Sequence, residues 1–224
     1  MKNYRYFLFD LDGTLTDPGL GITNSVWYAL EKYHITVGDR SELFRFIGPP
    51  LIDSFEKYYG FSAEEARRAV DYYREYYRGT GIFENQVYDG IPALLADLKA
   101  AGGKILLATS KPEGFARQIL EHFGLLPYFD FVAGATMNET RTEKDEVIRY
   151  AMAEFGIGDP SEVLMIGDRK YDVLGARKCD VDCVGVLFGY GSREELEQTE
   201  PIALAGTVEA LRKILLEACG LHQV

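Results

Sequence analysis

The sequence predicts an α/β fold: a mainly parallel, Rossmann-like sheet with a helical block inserted after its first strand. Short apolar runs alternate with helical patterns over most of the chain, as in successive βαβ units. Nearly every run gives way to small or polar residues, as strands do where they open onto a ligand site. Between Asp17 and Glu84 that rhythm stops, and only helical patterns are found.

Tyr6-Phe7-Leu8-Phe9 is the first run, short and rich in aromatic residues, and it reads as a buried strand. It ends in Asp10-Leu11-Asp12-Gly13-Thr14, where Gly13 permits a tight turn. The inserted block then reads as helices from Ile22 to Tyr33, Arg40 to Phe46, Pro50 to Tyr59 and Ala63 to Tyr77. Gly48-Pro49-Pro50 breaks it in the middle and Gly79-Thr80-Gly81 ends it. Further strands are expected from Lys104 to Ala108, Phe131 to Ala133, Val163 to Ile166 and Cys183 to Leu187. Helical patterns run from Ile91 to Ala101, Gly114 to Phe123, Lys144 to Phe155 and Tyr171 to Lys178. The charged stretch Arg193 to Glu197 reads as a solvated helix face. Residues 1–16 with 85–224 would form the core, and residues 17–84 a separate helical domain.

At 224 residues, 47% hydrophobic and 26% charged, the chain has enough apolar material for a packed core. Lys+Arg 24 against Asp+Glu 35 leaves a net charge of -11, which argues against a nucleic acid polymer as partner. No apolar run approaches the length of a membrane span, and Asp10 and Asp12 interrupt the N-terminal run too early for a signal peptide. Cys179, Cys183 and Cys219 match neither a zinc site nor a disulfide scaffold. The expectation is a cytoplasmic protein, monomeric or a small homo-oligomer, with no membrane partner.

Asp10 and Asp12 lie two positions apart just past a strand, so extended geometry points both side chains toward one site. Asp168 and Asp172 flank the end of another strand, Thr109 ends a third, and Lys144 begins a helix. Four carboxylates at the lips of one sheet repel one another unless a cation sits among them. Hard oxygen ligands that leave room for water and phosphate oxygens suit Mg²⁺. Such an ion would also give an acidic protein the local positive charge it needs to hold a phosphate.

Phe9-Asp10-Leu11-Asp12-Gly13-Thr14-Leu15 resembles motif I of the haloacid dehalogenase superfamily. Leu107-Ala108-Thr109-Ser110-Lys111 resembles motif II, Lys144 matches motif III, and Ile166-Gly167-Asp168-Arg169-Lys170-Tyr171-Asp172 matches motif IV. All four occur in order across essentially the whole chain, with a helical cap between motifs I and II. The resemblance implies that Asp10 is the nucleophile that takes a phosphoryl group. Asp12 would protonate the leaving alcohol and then activate water. Mg²⁺ would be held by Asp10, the Asp12 backbone carbonyl and Asp168, with Asp172 behind the metal or paired with Lys144. Thr109, Lys144 and Ser110 would grip phosphate oxygens, together with the backbone amides of Leu11 and Asp12.

An aspartate at position 12 favours phosphate esters, because a halide leaving group needs no proton. The resemblance therefore implies a phosphatase of small phosphomonoesters. Leu15-Thr16-Asp17-Pro18, Phe46-Ile47-Gly48-Pro49-Pro50-Leu51 and Gly167-Asp168-Arg169 are similar to the bacterial 5′-nucleotidase-like group. Phosphoglycolate phosphatase and a phosphomutase of the β-phosphoglucomutase type are the alternatives within the branch. A non-catalytic binding module is the alternative from another class.

Several positions have two readings. Thr109-Ser110 is a phosphate grip or a helix cap. Lys144 competes with two nearby cations, Lys111 and Arg141. Tyr72, Tyr73, Tyr76 and Tyr77 form a packing stripe or a wall for a nucleobase. Arg45, Gly48 and Pro49 are candidates for specificity in the cap, with Arg45 otherwise a solvated helix residue.

Overall fold

The computed structural model describes residues 2–137 and 140–220, which divide into two compact units, residues 1–16 with 87–224 and residues 17–86. The larger unit is built on one parallel sheet of six strands, in the order β5-β4-β1-β6-β7-β8, while β2 (Thr16–Asp17) and β3 (Gln86–Val87) form a separate two-stranded sheet. β1 (Tyr6–Phe9) is central, between β4 (Lys104–Pro112) and β6 (Val163–Gly167). β5 (Phe131–Ala135) lies outside β4, while β7 (Asp182–Val186) and β8 (Ala203–Ala205) complete the other side. The α/β reading of the sequence agrees with this sheet.

Phe9 aligns with Leu107 on one side and Ile166 on the other. That register brings the residues following β1 and β6 to one edge, beside Thr109 of β4. Alternation then sorts the strand residues between the faces. Leu8, Leu106 and Met165 pack with Val147, Ile148, Ala151, Val173 and Ala176 in one buried cluster. The last five come from α6 (Lys144–Phe155) and α7 (Lys170–Arg177). α4 (Ile91–Ala100) and α9 (Val208–Ala218) pack together elsewhere in the unit, and α5 (Glu113–His122) follows β4. Among the described residues, no helix is long and apolar enough to cross a membrane.

Asp130 ties β5 to β4. Its Oδ2 accepts from the Ile105 N–H at 2.9 Å, and its carboxylate pairs with Lys99 at 3.1 Å and Lys104 at 3.7 Å. Burial pushes its pKa up, but the Ile105 N–H and Lys99 outweigh burial and hold it below the ordinary value. A depressed carboxyl contributes stability above the unfolded-state pKa, and that contribution disappears as pH falls through the folded-state value. Asp130→Asn should therefore cost about 1 kcal/mol near neutral pH, with the gap to wild type closing as the medium is acidified below the ordinary carboxyl range. Urea unfolding at both pH values checks this; an equal gap at the lower pH contradicts the assignment.

The smaller unit contains α1 (Gly19–Glu31), a 3₁₀ helix (Arg40–Phe46), α2 (Leu51–Tyr59) and α3 (Ala63–Tyr76). A single π turn (Tyr77–Gly81) continues α3. Ser62 and Glu65 form a capping box that starts α3 where the chain leaves a left-handed turn at Gly60. Its interior is aromatic: Phe46 meets Phe55 edge to face at 5.0 Å, and Phe55 stacks on Phe61 at 5.8 Å. The tyrosine stripe belongs to this packing. Tyr73 stacks on Tyr77 at 5.2 Å, Tyr76 meets Tyr28, and Tyr72 meets Tyr33.

Candidate active site

Asp10 follows β1 directly, and its N–H donates to the Ile166 carbonyl at 2.9 Å. The Leu11 carbonyl then accepts from the N–H groups of Thr14, Leu15 and Thr16, at 3.2, 2.9 and 3.1 Å. This folds the chain back within one turn and keeps Asp12 beside Asp10. Gly13 makes the turn with φ +83, and a Cβ there would lie 2.2 Å from Asp168 Oδ2. Only glycine satisfies both the backbone and the space.

Lys144 is buried at the first position of α6 and joins three strands' worth of chemistry. Its Nζ lies 2.9 Å from Asp10 Oδ1 and 2.8 Å from Asp172 Oδ1, and donates to the Ala108 carbonyl at 3.1 Å. The two competing cations are otherwise engaged. Arg141 donates to the Gly134 carbonyl, pairs with Glu113 and covers the Tyr150 ring. Lys111 donates to Asp12 Oδ2 in a nearly buried ion pair.

Thr109 is 2% exposed and Ser110 half-buried, both within β4. The helix-cap reading fails here: α5 begins after Pro112 with no side-chain cap, and Thr109 Oγ1 accepts from the Lys111 N–H at 3.2 Å. In the smaller unit, Gly48 has φ 104 and is exposed beside the half-buried Pro49. The Arg45 guanidinium lies over the Tyr58 ring at 4.3 Å and near Tyr59 at 5.6 Å.

Asp10, Asp168 and Asp172 are all buried, and each offers an oxygen within 4.8 Å of the others. Asp168 Oδ2 accepts from the Tyr190 N–H at 2.7 Å, while its Oδ1 is buried without a protein partner. Burial, with Asp172 and Asp10 adding repulsion, pushes Asp168 well above the ordinary carboxyl range. Burial also raises Asp172 to about 6, against the pull of Lys144. Asp12 is raised by burial despite Lys111. Burial alone would lower Lys144, yet attraction to Asp10 and Asp172 raises it. Four aspartates face two lysines, so the site carries excess negative charge. Three clustered oxygen donors, one of them an orphaned buried oxygen, fit a hard divalent cation.

The profile of the haloacid dehalogenase-like hydrolases matches residues 7–186, spanning every residue of this cluster. The chain belongs to that family. A crystal structure of a predicted phosphatase from Clostridium acetobutylicum superposes with a TM-score of 0.93 at 50% identity, covering 96% of this chain and 100% of that one. A 5′-nucleotidase of Pseudomonas aeruginosa is 46% identical over 212 residues, 95% of this chain and 96% of that protein. The tyrosine-protein kinase PtkA of Mycobacterium tuberculosis is 39% identical over 211 residues, 93% of this chain and 71% of that protein. Within the haloacid dehalogenase-like family this chain is a phosphatase, a phosphoric monoester hydrolase.

The sequence names Lys111 only as a cation competing with Lys144, not as the partner of Asp12. It stands in the motif II string, but its partner Asp12 is 99 positions away, and no local pattern announces the pair.

Proposed function

We propose that this protein is a cytoplasmic, Mg²⁺-dependent phosphatase of small phosphomonoesters, with 5′-nucleotides its leading substrates, working through an aspartyl-phosphate on Asp10. The observation that carries the mechanism is the placement of Asp10. It directly follows the central strand, 2.9 Å from a buried lysine, with a second carboxyl two residues on. The substrate class is supported by the 46% identical 5′-nucleotidase.

In the first step an Asp10 carboxylate oxygen attacks phosphorus and the phosphorus–oxygen bond to the alcohol breaks. Asp12 gives its proton to the departing oxygen, a role favoured by the burial that raises its pKa. In the second step water attacks the same phosphorus, Asp12 takes the water's proton, and the bond to Asp10 breaks. The sum is ester plus water giving alcohol plus inorganic phosphate. Lys144, Thr109, Ser110 and the amides of Leu11 and Asp12 would hold the phosphate oxygens. Asp10, the Asp12 carbonyl and Asp168, with Asp172 behind them, would hold Mg²⁺, which would neutralise charge on the transferring group. We assign substrate selection to the helical unit of residues 17–86, where Arg45, Gly48 and Pro49 are its candidate positions.

Phosphate release from a panel of esters tests this reading. Purine and pyrimidine 5′-nucleotides should be hydrolysed with Mg²⁺ and not with EDTA. Release from phosphoglycolate or hexose phosphates alone would keep the mechanism and overturn the substrate. No release from any ester would overturn both, and isomerisation of a sugar phosphate without free phosphate would identify a mutase.

A further inference from the structure

The loop between β7 and α8 (Arg193–Glu197) lies against Asp168. The Tyr190 N–H donates to Asp168 Oδ2 at 2.7 Å. On either side of Tyr190 the approach is close: a Cβ on Gly189 would lie 2.5 Å from the Asp168 Cβ, and one on Gly191 1.9 Å from the Asp168 carbonyl oxygen. Two glycines thus let the loop's backbone reach the carboxylate.

Immediately beyond, Ser192 caps α8 by accepting from the Glu195 N–H at 3.0 Å. Glu195 turns back onto the residue that follows Asp168. Arg169 Nε donates to Glu195 Oε1 at 2.9 Å, Arg169 Nη2 to Oε2 at 3.3 Å, and the Lys170 N–H to Oε1 at 2.9 Å. This is a two-pronged guanidinium–carboxylate pair, the geometry that adds direction as well as strength. The Arg169 N–H in turn donates to Asp172 Oδ2 at 3.0 Å. Both carboxylates of the 168–172 turn are therefore tied into one clamp, and Glu195 is its outer end.

We propose that Glu195 is a positioning residue for the divalent cation. Acting through Arg169, it holds the Gly189-Tyr190-Gly191 loop on the turn, so that the Tyr190 N–H fixes Asp168 Oδ2 and leaves Oδ1 as the cation's ligand. The inference rests on the Mg²⁺ reading given under Proposed function and goes beyond the motif residues. Groups that orient a metal ligand commonly affect metal affinity by about 10–100-fold.

The test uses the full chain and Mn²⁺ as a paramagnetic probe, with free ion followed by electron paramagnetic resonance. Glu195→Gln should bind Mn²⁺ roughly 10–100-fold more weakly than wild type. It should need correspondingly more Mg²⁺ for half-maximal hydrolysis, with kcat at saturating Mg²⁺ within about twofold. Its melting temperature in EDTA should stay within about 5 °C of wild type, the cost of one weakened ion pair, which a general loss of structure would exceed. Glu197→Gln, on the same helix but exposed and paired with Arg193, should change none of these. Equal Mn²⁺ affinity in wild type and Glu195→Gln overturns the role of Glu195 alone. Wild type that binds no Mn²⁺ overturns the cation reading beneath it. Should Glu195→Gln not fold, Arg169→Lys keeps the charge and loses the fork, and unchanged affinity there overturns the inference equally.

Discussion

Asp10→Asn should lower phosphate release by at least about a thousandfold while the protein remains folded. Asparagine has the shape of aspartate but lacks the anionic oxygen that, in the proposed mechanism, attacks phosphorus. The substitution also removes one negative charge from a buried cluster of three carboxylates that lie within 4.8 Å of one another, two of which, Asp10 and Asp172, share Lys144. Repulsion with Asp168 and Asp172 is relieved, so the melting temperature in EDTA should not fall. Steady-state release on 5′-nucleotides and a thermal scan measure the two effects. Residual activity above a few per cent would place the nucleophile elsewhere, and a lower melting temperature would mean that Asp10 is a structural anchor.

Lys144→Ala should have the largest effect on stability. The ammonium is buried between Asp10 and Asp172 and also serves the Ala108 carbonyl. Removing it strands two buried carboxylates and an acceptor. Breaking a buried pair in this way costs about 3–5 kcal/mol. For a chain of this size that lowers the melting temperature by roughly 10 °C. The loss should be smaller toward pH 5, where the raised pKa of Asp172 lets it take up a proton, and smaller in Mg²⁺, which neutralises the same oxygens. Hydrolysis should be lost as well, since in the proposed mechanism Lys144 holds a phosphate oxygen. An unchanged melting temperature would make Lys144 an ordinary surface lysine, contrary to its position.

The parts of this fold legible in the sequence are those with strong boundaries. β1 runs from Tyr6 to Phe9 as expected because an acidic turn cuts the apolar run on one side. α6 runs from Lys144 to Phe155 as expected, closed by Gly156 in the left-handed conformation. β8 and α9 had no counterpart in the reading, since Ala203-Leu204-Ala205 is three residues long and carries no alternation. β4 was expected to end at Ala108 but runs to Pro112. Thr109, Ser110 and Lys111 are polar, and their polarity hides the strand. The tyrosine stripe of α3 could equally have been a ligand wall, and only its partners Tyr28, Tyr33 and Tyr77 show it to be packing.

Within the site, residues near a strand end were legible and those acting across long sequence distances were not. Lys111 meets Asp12 from 99 positions away, and Glu195 meets Arg169 from 26. Arg45 stands beside the Gly-Pro-Pro break, and its guanidinium lies on Tyr58 and Tyr59, ring contacts that no local pattern announces.

The central claim is a phosphoryl group carried by Asp10 and released with the help of Asp12. It is tested most directly in the Asp12→Ala variant with p-nitrophenyl phosphate, whose leaving group needs no proton. The first step then proceeds while the second lacks its base. Rapid mixing should show a burst of about one nitrophenolate per protein, followed by a slow phase. Protein quenched in acid after the burst should carry one phosphoryl group on the peptide containing Asp10. Linear release without a burst, with Asp10 unmodified, would contradict the covalent mechanism and the roles given to both aspartates.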